Sequence, residues 1–255
     1  MEKKWLKHYD RGVPHTLQPY PERTLVDVVD DAAQQWPDHT ALYFQGARLS
    51  CGEVEELSNA LAAPLVALGV QKGDRVALVL PNCPQWVIGQ LAAWKAGAVV
   101  VPMSFLLAEP EVRRTLLDCE ARVALVLTPF YAKVKAAQPG TPLRHIIATN
   151  IKEYLPLHLR LLFTAFREKK EGHRIRLQAG DRWLADLLKQ HAGAARPRVP
   201  VGPDDTALFI YSGGTTGIPK AAVGTHRALL MTAMQFRAWF ALSLIHISEP
   251  TRLQV

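Results

Sequence analysis

The sequence is poor in the features that would place it outside ordinary soluble chemistry. It has only three cysteines in 255 residues. Cys51, Cys83 and Cys119 are scattered in apolar context with no C-x-x-C or Cys/His ligand spacing, which excludes a disulfide scaffold and a zinc site. All three are expected to be buried, reduced thiols. No stretch reaches the roughly 18 consecutive apolar residues that a spanning helix requires. The first residues, Met1-Glu2-Lys3-Lys4-Trp5-Leu6-Lys7-His8, are charged and carry no apolar core of a secretory signal, so a cytoplasmic protein is expected. Internal repeats and low-complexity tracts are also lacking, and 49% hydrophobic against 21% charged residues excludes disorder as the default.

The net charge is +7. Between Ile151 and Arg176 seven basic residues stand against three acidic ones, so more than half of the excess sits in one short stretch. Elsewhere the charges are mixed, as on a solvated surface, and no nucleic-acid partner is expected. Within that stretch Leu155, Leu159, Leu162, Phe163 and Phe166 fall at helical spacing, with Arg160, Arg167, Lys169 and Lys170 nearby. Two readings stay open: the stripe packs on the protein's own core, or 155–176 touches an anionic membrane.

From about residue 75 short β-rich apolar runs alternate with helical ones. Strands are expected at 75–80, 99–101, 123–127 and 145–148, and helices at 85–96 and 109–119. A further helix is expected at 51–68, where Ser50 and Glu53 have capping-box spacing and Gly69 ends the run. Strands that are apolar on both faces and joined by helices imply an α/β fold, with parallel sheet covered by helices on both faces. Proline and glycine between 193 and 203 mark a linker leading to another strand at 206–211.

That strand runs into Ser212-Gly213-Gly214-Thr215-Thr216-Gly217-Ile218-Pro219-Lys220, followed by a helix with Thr225 as its N-cap. Glycines let backbone amides approach an anion, hydroxyls donate to phosphate oxygens, and a lysine adds a point charge. A Walker loop is excluded because Pro219 stands at its second glycine and Ala221 at its magnesium-binding hydroxyl; Gly213, Gly214 and Gly217 do not fit G-x-G-x-x-G either.

Ten consecutive residues, Tyr211 to Lys220, resemble the signature loop of the AMP-forming, adenylate-forming synthetases, the superfamily of acyl-CoA ligases, peptide-synthetase adenylation domains and firefly luciferase. Two other segments, 69–78 and 91–102, are similar to that family's core, and the resemblance covers about 24–240. In these segments Lys95, Gly97 and Pro102 are read as helix-ending and packing residues. The paired glycines 213–214 and Tyr154-Leu155-Pro156 look most like a long-chain fatty-acid–CoA ligase.

The resemblance implies a domain organisation of a leader over 1–23, an incomplete AMP-binding N-terminal domain over 24–242, and an unrelated tail over 243–255 that resembles peptide translated from a sequencing adapter. It also implies that a fatty acid or related carboxylate is activated with ATP and Mg²⁺ and passed to CoA, whose site is expected outside this sequence. Lys220 and Thr216 are implied as catalytic. Ser212, Gly213, Gly214, Thr215, Thr216, Gly217 and Lys220 are implied as nucleotide-binding, and no metal ligand is assigned. Alone, the 255 residues are expected to be inactive and prone to associate through the apolar helix 225–240. The alternatives are a non-catalytic nucleotide- or membrane-binding chain and a ligase for a different carboxylate.

Overall fold

The computed structural model describes residues 4–212 and 220–240. Among them a seven-stranded sheet has the order β7-β6-β5-β3-β4-β8-β9. Its centre is β3 (Arg75–Val79), with β4 (Val99–Pro102) on one side and β5 (Val123–Leu127) on the other, all parallel. Beyond β5 come β6 (His145–Thr149) and the two-residue β7 (Arg182–Trp183); beyond β4 come β8 (Thr206–Tyr211) and β9 (Ala221–Thr225). Only β9 runs antiparallel to its neighbour, so the sheet is parallel as expected apart from that one edge strand.

The sheet is apolar on both faces because successive side chains point opposite ways. Val76, Leu78, Val123 and Leu125 face one core cluster, and Ala77, Val79, Ala124 and Val126 face the other. The first cluster is closed by α1 (Leu25–Gln35), α2 (Cys51–Ala67), α3 (Pro84–Lys95) and α7 (Leu184–Gln190). The second is closed by α4 (Glu109–Cys119) and α5 (Tyr131–Ala137). Helices thus cover both faces, as the uninterrupted apolar strands require.

Local signals account for most boundaries. The Ser50 side chain accepts from the Glu53 amide at 3.2 Å while the Glu53 carboxylate accepts from the Ser50 amide at 2.7 Å, a closed capping box that starts α2. Thr24 and Asp27 do the same for α1. Gly69, after α2, has φ +87°, a conformation that suits glycine at a helix end. A separate hairpin pairs β1 (Thr40–Phe44) with β2 (Ala47–Ser50) through Gln45 and Gly46, both at positive φ as a two-residue hairpin turn needs.

The basic stretch folds as α6 (Leu157–Leu162), continued by one π-helical turn over Phe163–Arg167. Its expected single stripe divides. Leu155, Leu159 and Phe163 are half-buried against the body, whereas Leu162 and Phe166 are exposed. Cys83 and Cys119 are buried and free, with burial pushing each thiol up to about 11. Cys51 is only half-buried, since it opens α2 at the surface, which corrects the expectation for that residue.

The last helix, α8 (His226–Trp239), starts at its expected cap, where Thr225 Oγ1 accepts from the Ala228 amide at 3.2 Å. Its Leu230 is buried, but Phe236, Trp239 and Phe240 remain exposed in the described chain, and Tyr9 packs edge-on against Trp239. The suggested tail over 243–255 lies outside the described residues.

Candidate functional site

The site is built where β8 leaves the sheet. β8 lies beside β4, with Val100 opposite Leu208, and its own Ala207 and Leu208 are buried. Its carboxyl end points to the edge outside which open parallel sheets bind ligands. The chain then turns back as β9, with Tyr211 paired to Ala221, and the Ser212 amide donates to the Lys220 carbonyl at 3.0 Å. Ser212 and Lys220 are therefore the two posts of a hairpin, and both are exposed. Of the remaining expected site residues, Gly213, Gly214, Thr215, Thr216 and Gly217 lie outside the described residues.

The strand β9 was not visible in the sequence, which led to the expectation of a helix directly after the loop. Its short run, Ala221-Ala222-Val223-Gly224-Thr225, has little β propensity, and pairing with β8 supplies what propensity does not. As a result Lys220 sits at a strand start, five residues before the Thr225 cap of α8.

Long-range contacts hold the hairpin in place. Trp94 on α3 donates its indole N–H to the Ala207 carbonyl at 2.7 Å, so a helix of one crossover fixes the backbone of a strand far along the chain. His226, 1% exposed, packs edge-on against Trp94 at 5.3 Å between ring centroids. Burial, only partly opposed by Asp205 and Asp27, pulls the His226 imidazole down to about 4, so it is neutral near pH 7. Arg227 clamps the start of α8 by donating to Asp204 at 2.7 Å and to Glu22 at 2.6 Å. On the other face Tyr211 donates its hydroxyl to Asp118 of α4; burial and that carboxylate hold the phenol well above its usual range. None of these partners has a local sequence signal, because each pairs with a residue distant in the chain.

Lys95, expected to serve packing, is fully buried. Its ammonium reaches Glu55 at 2.6 Å and donates to Ser58 and Asn59 at 2.8 Å each, with Asp30 at 3.9 Å. Arg196 of the linker pairs with the same Asp30, which ties the segment leading to β8 onto α1, α2 and α3. Desolvation lowers the Lys95 ammonium from its ordinary value, and Glu55 opposes the shift. Among the described residues no group of three His, Cys, Asp or Glu side chains is placed to hold a metal ion. His173 is instead bonded to Thr128 through Nδ1 at 2.8 Å, and His158 is exposed.

The arrangement offers an exposed ammonium and an exposed hydroxyl at the two posts of a loop rich in glycine and threonine. An exposed cation attracts an anion only weakly in water, about 1 kcal/mol at 4 Å, but about 4 kcal/mol once a bound ligand excludes solvent. Such a loop can therefore bind a polyanion that covers it.

The profile of the family described as AMP-binding enzyme matches residues 29–251. The chain is similar to the long-chain-fatty-acid–CoA ligase of Bacillus subtilis (strain 168), 34% identical over 93% of this chain and 42% of that protein. It is 32% identical to the ligase of the same name from Yersinia pestis, over 94% of this chain and 43% of the relative. Among solved structures it superposes on a long-chain-fatty-acid–CoA ligase from Archaeoglobus fulgidus with TM-score 0.70 at 24% identity, covering 92% of this chain and 43% of that one, a likeness of fold. The chain thus spans less than half the length of the curated relatives it matches.

Proposed function

This chain belongs to the AMP-binding enzyme family, and on that premise we propose that it takes part in the ATP-dependent activation of a fatty acid to its CoA thioester. In the first step a carboxylate oxygen bonds to the α-phosphorus of ATP as the bond to the β-phosphate oxygen breaks, giving acyl-adenylate and pyrophosphate. The thiol sulfur of CoA then attacks the acyl carbon, its proton is released, and AMP leaves. A cytoplasmic location accords with these substrates.

The observation that carries the proposal is the Ser212–Lys220 hairpin, held at the carboxyl edge of the sheet by a 3.0 Å backbone hydrogen bond. In-line phosphoryl chemistry depends on positioning and charge stabilisation, and this loop is suited to both. Lys220 offsets charge on the departing phosphates; Ser212, Thr215 and Thr216 donate hydroxyl hydrogen bonds; Gly213, Gly214 and Gly217 let the backbone approach. Mg²⁺ would add charge neutralisation when bound; no group of three His, Cys, Asp or Glu side chains among the described residues is placed to hold it, and no step here depends on it.

Fatty-acid-dependent exchange of labelled pyrophosphate into ATP tests this in a chain extended to the length of its relatives. Lys220→Ala should slow exchange by about two orders of magnitude, or about 3 kcal/mol, the scale of losing one preorganised charge stabiliser. An unchanged rate would remove the loop from phosphate binding.

A further inference from the structure

We propose that α6 and the turn after it dock on an anionic lipid bilayer, with the helix lying flat in the interface. The helix turns large apolar side chains away from the protein: Leu157 is 73% exposed, Leu161 64%, Leu162 54% and Phe166 74%. They form two adjacent ridges at i, i+4 spacing, with the exposed Ala165 continuing the first. Leu155, Leu159 and Phe163 already pack on the body beside a cavity that Leu162 and Phe166 also line, so the outermost ridge, Leu157 and Leu161, is surplus to the helix's own attachment.

Charge complementarity identifies what covers these ridges. Arg160, Lys169 and Lys170 are exposed around them. Of the three acidic residues of the stretch, Glu153 accepts from Thr149 at 2.7 Å and offsets Arg160 only in part, and the other two are engaged elsewhere. Glu168 is buried and bound to Lys152 at 2.6 Å, and Glu171 faces Arg167 at 3.7 Å. An apolar centre with a basic rim matches acyl chains beneath anionic headgroups and is the pattern of an interfacial helix.

The support beneath is firm. Asn150, at the carboxyl end of β6, donates to Glu168 at 3.1 Å, and Thr128, at the carboxyl end of β5, bonds His173 at 2.8 Å. His173 in turn meets Phe163 edge-on at 5.1 Å. The helix is thus rooted at the sheet edge from which the Ser212–Lys220 hairpin emerges, four strand spacings or roughly 19 Å away. The inference rests on this surface and not on the nucleotide reading.

The test is sedimentation of the 255-residue chain with phosphatidylcholine vesicles, with and without phosphatidylglycerol, at low and high salt. Binding is expected only with the anionic lipid and is expected to weaken with salt. Arg160→Gln/Lys169→Gln/Lys170→Gln should lower the partition coefficient about a hundredfold, at about fivefold per charge. Leu161→Glu/Phe166→Glu should lower it at least tenfold with an unchanged far-ultraviolet circular dichroism spectrum. Lys7→Gln/Lys189→Gln, which removes exposed charges elsewhere, should leave it unchanged. Absent binding, equal binding to neutral vesicles, or a loss as large in the Lys7/Lys189 control would overturn the proposal. So would a dimer in light scattering that Leu161→Glu/Phe166→Glu dissociates, because a second copy would then cover the ridges.

Discussion

Replacing Lys95 by methionine tests how the linker to β8 is held. The ammonium stands 2.6 Å from Glu55 and 3.9 Å from Asp30. With an effective dielectric constant of about 20 these separations correspond to gross attractions of about 6 and 4 kcal/mol, most of which is offset by taking the ammonium out of water. The cost of Lys95→Met is therefore set by what it leaves behind, two facing carboxylates of which Asp30 keeps Arg196 while Glu55 loses its cation, and should be about 3–5 kcal/mol. Urea denaturation followed by tryptophan fluorescence at low protein concentration would measure it near pH 7.

The pH dependence gives a second readout. Burial, and then Glu55, already raise the Asp30 carboxyl above its ordinary range, and removing the lysine raises it further. A carboxyl raised in the folded state binds its proton there first, so the variant should regain stability relative to the parent as pH falls from 7 toward 5. Lys95→Met/Glu55→Gln should recover at least half of the loss at neutral pH. A cost below about 1 kcal/mol, or one that does not shrink on acidification, would refute the reasoning.

Two further outcomes are expected. His226 titrates near 4 when folded against an ordinary 6.5, so between those values the unfolded chain takes up the proton first and stability falls as pH drops through the window. The total is about 3 kcal/mol, and His226→Phe should flatten urea midpoints measured from pH 7 to 4; an unaltered slope would count against the buried neutral imidazole. Trp94→Phe should leave the Ala207 carbonyl without its donor and cost about 1–3 kcal/mol in thermal denaturation, whereas a change below about 0.5 kcal/mol would show that the indole hydrogen bond contributes little.

The central sheet was legible because its strands announce themselves. Val123–Leu127 and Thr206–Tyr211 are unbroken apolar runs whose bounds match, and Glu109–Cys119 keeps its expected bounds as a helix. The Ser50–Glu53 box was readable because capping is a contact between residues three apart. The hairpin β1–β2, with its half-exposed strands, and the two-residue β7 carry too few apolar residues to give a pattern. The helices α1, α5 and α7 were not anticipated either, since they are short and lie among mixed residues. At the site, the residue types of 212–220 were readable as a resemblance, while the hairpin was not, since register follows from pairing with β8. The α6 stripe was drawn on an ideal helical period, and Leu157 and Leu161 escaped it because which ridge faces out depends on where the helix is fastened.

The sheet order also has a consequence for the chain during its synthesis. β8 is hydrogen-bonded to β4, yet β5, β6 and β7 are made between them and add to the opposite side of β3. On a ribosome working at roughly 5–20 residues per second, the about one hundred residues separating Pro102 from Thr206 occupy on the order of 5–20 s. For that interval the Val99–Val101 strand presents an open apolar edge, the kind that captures strands from other chains. Translation speed past residue 102, and whatever shields that edge in the meantime, should therefore govern how much of this protein reaches its native fold.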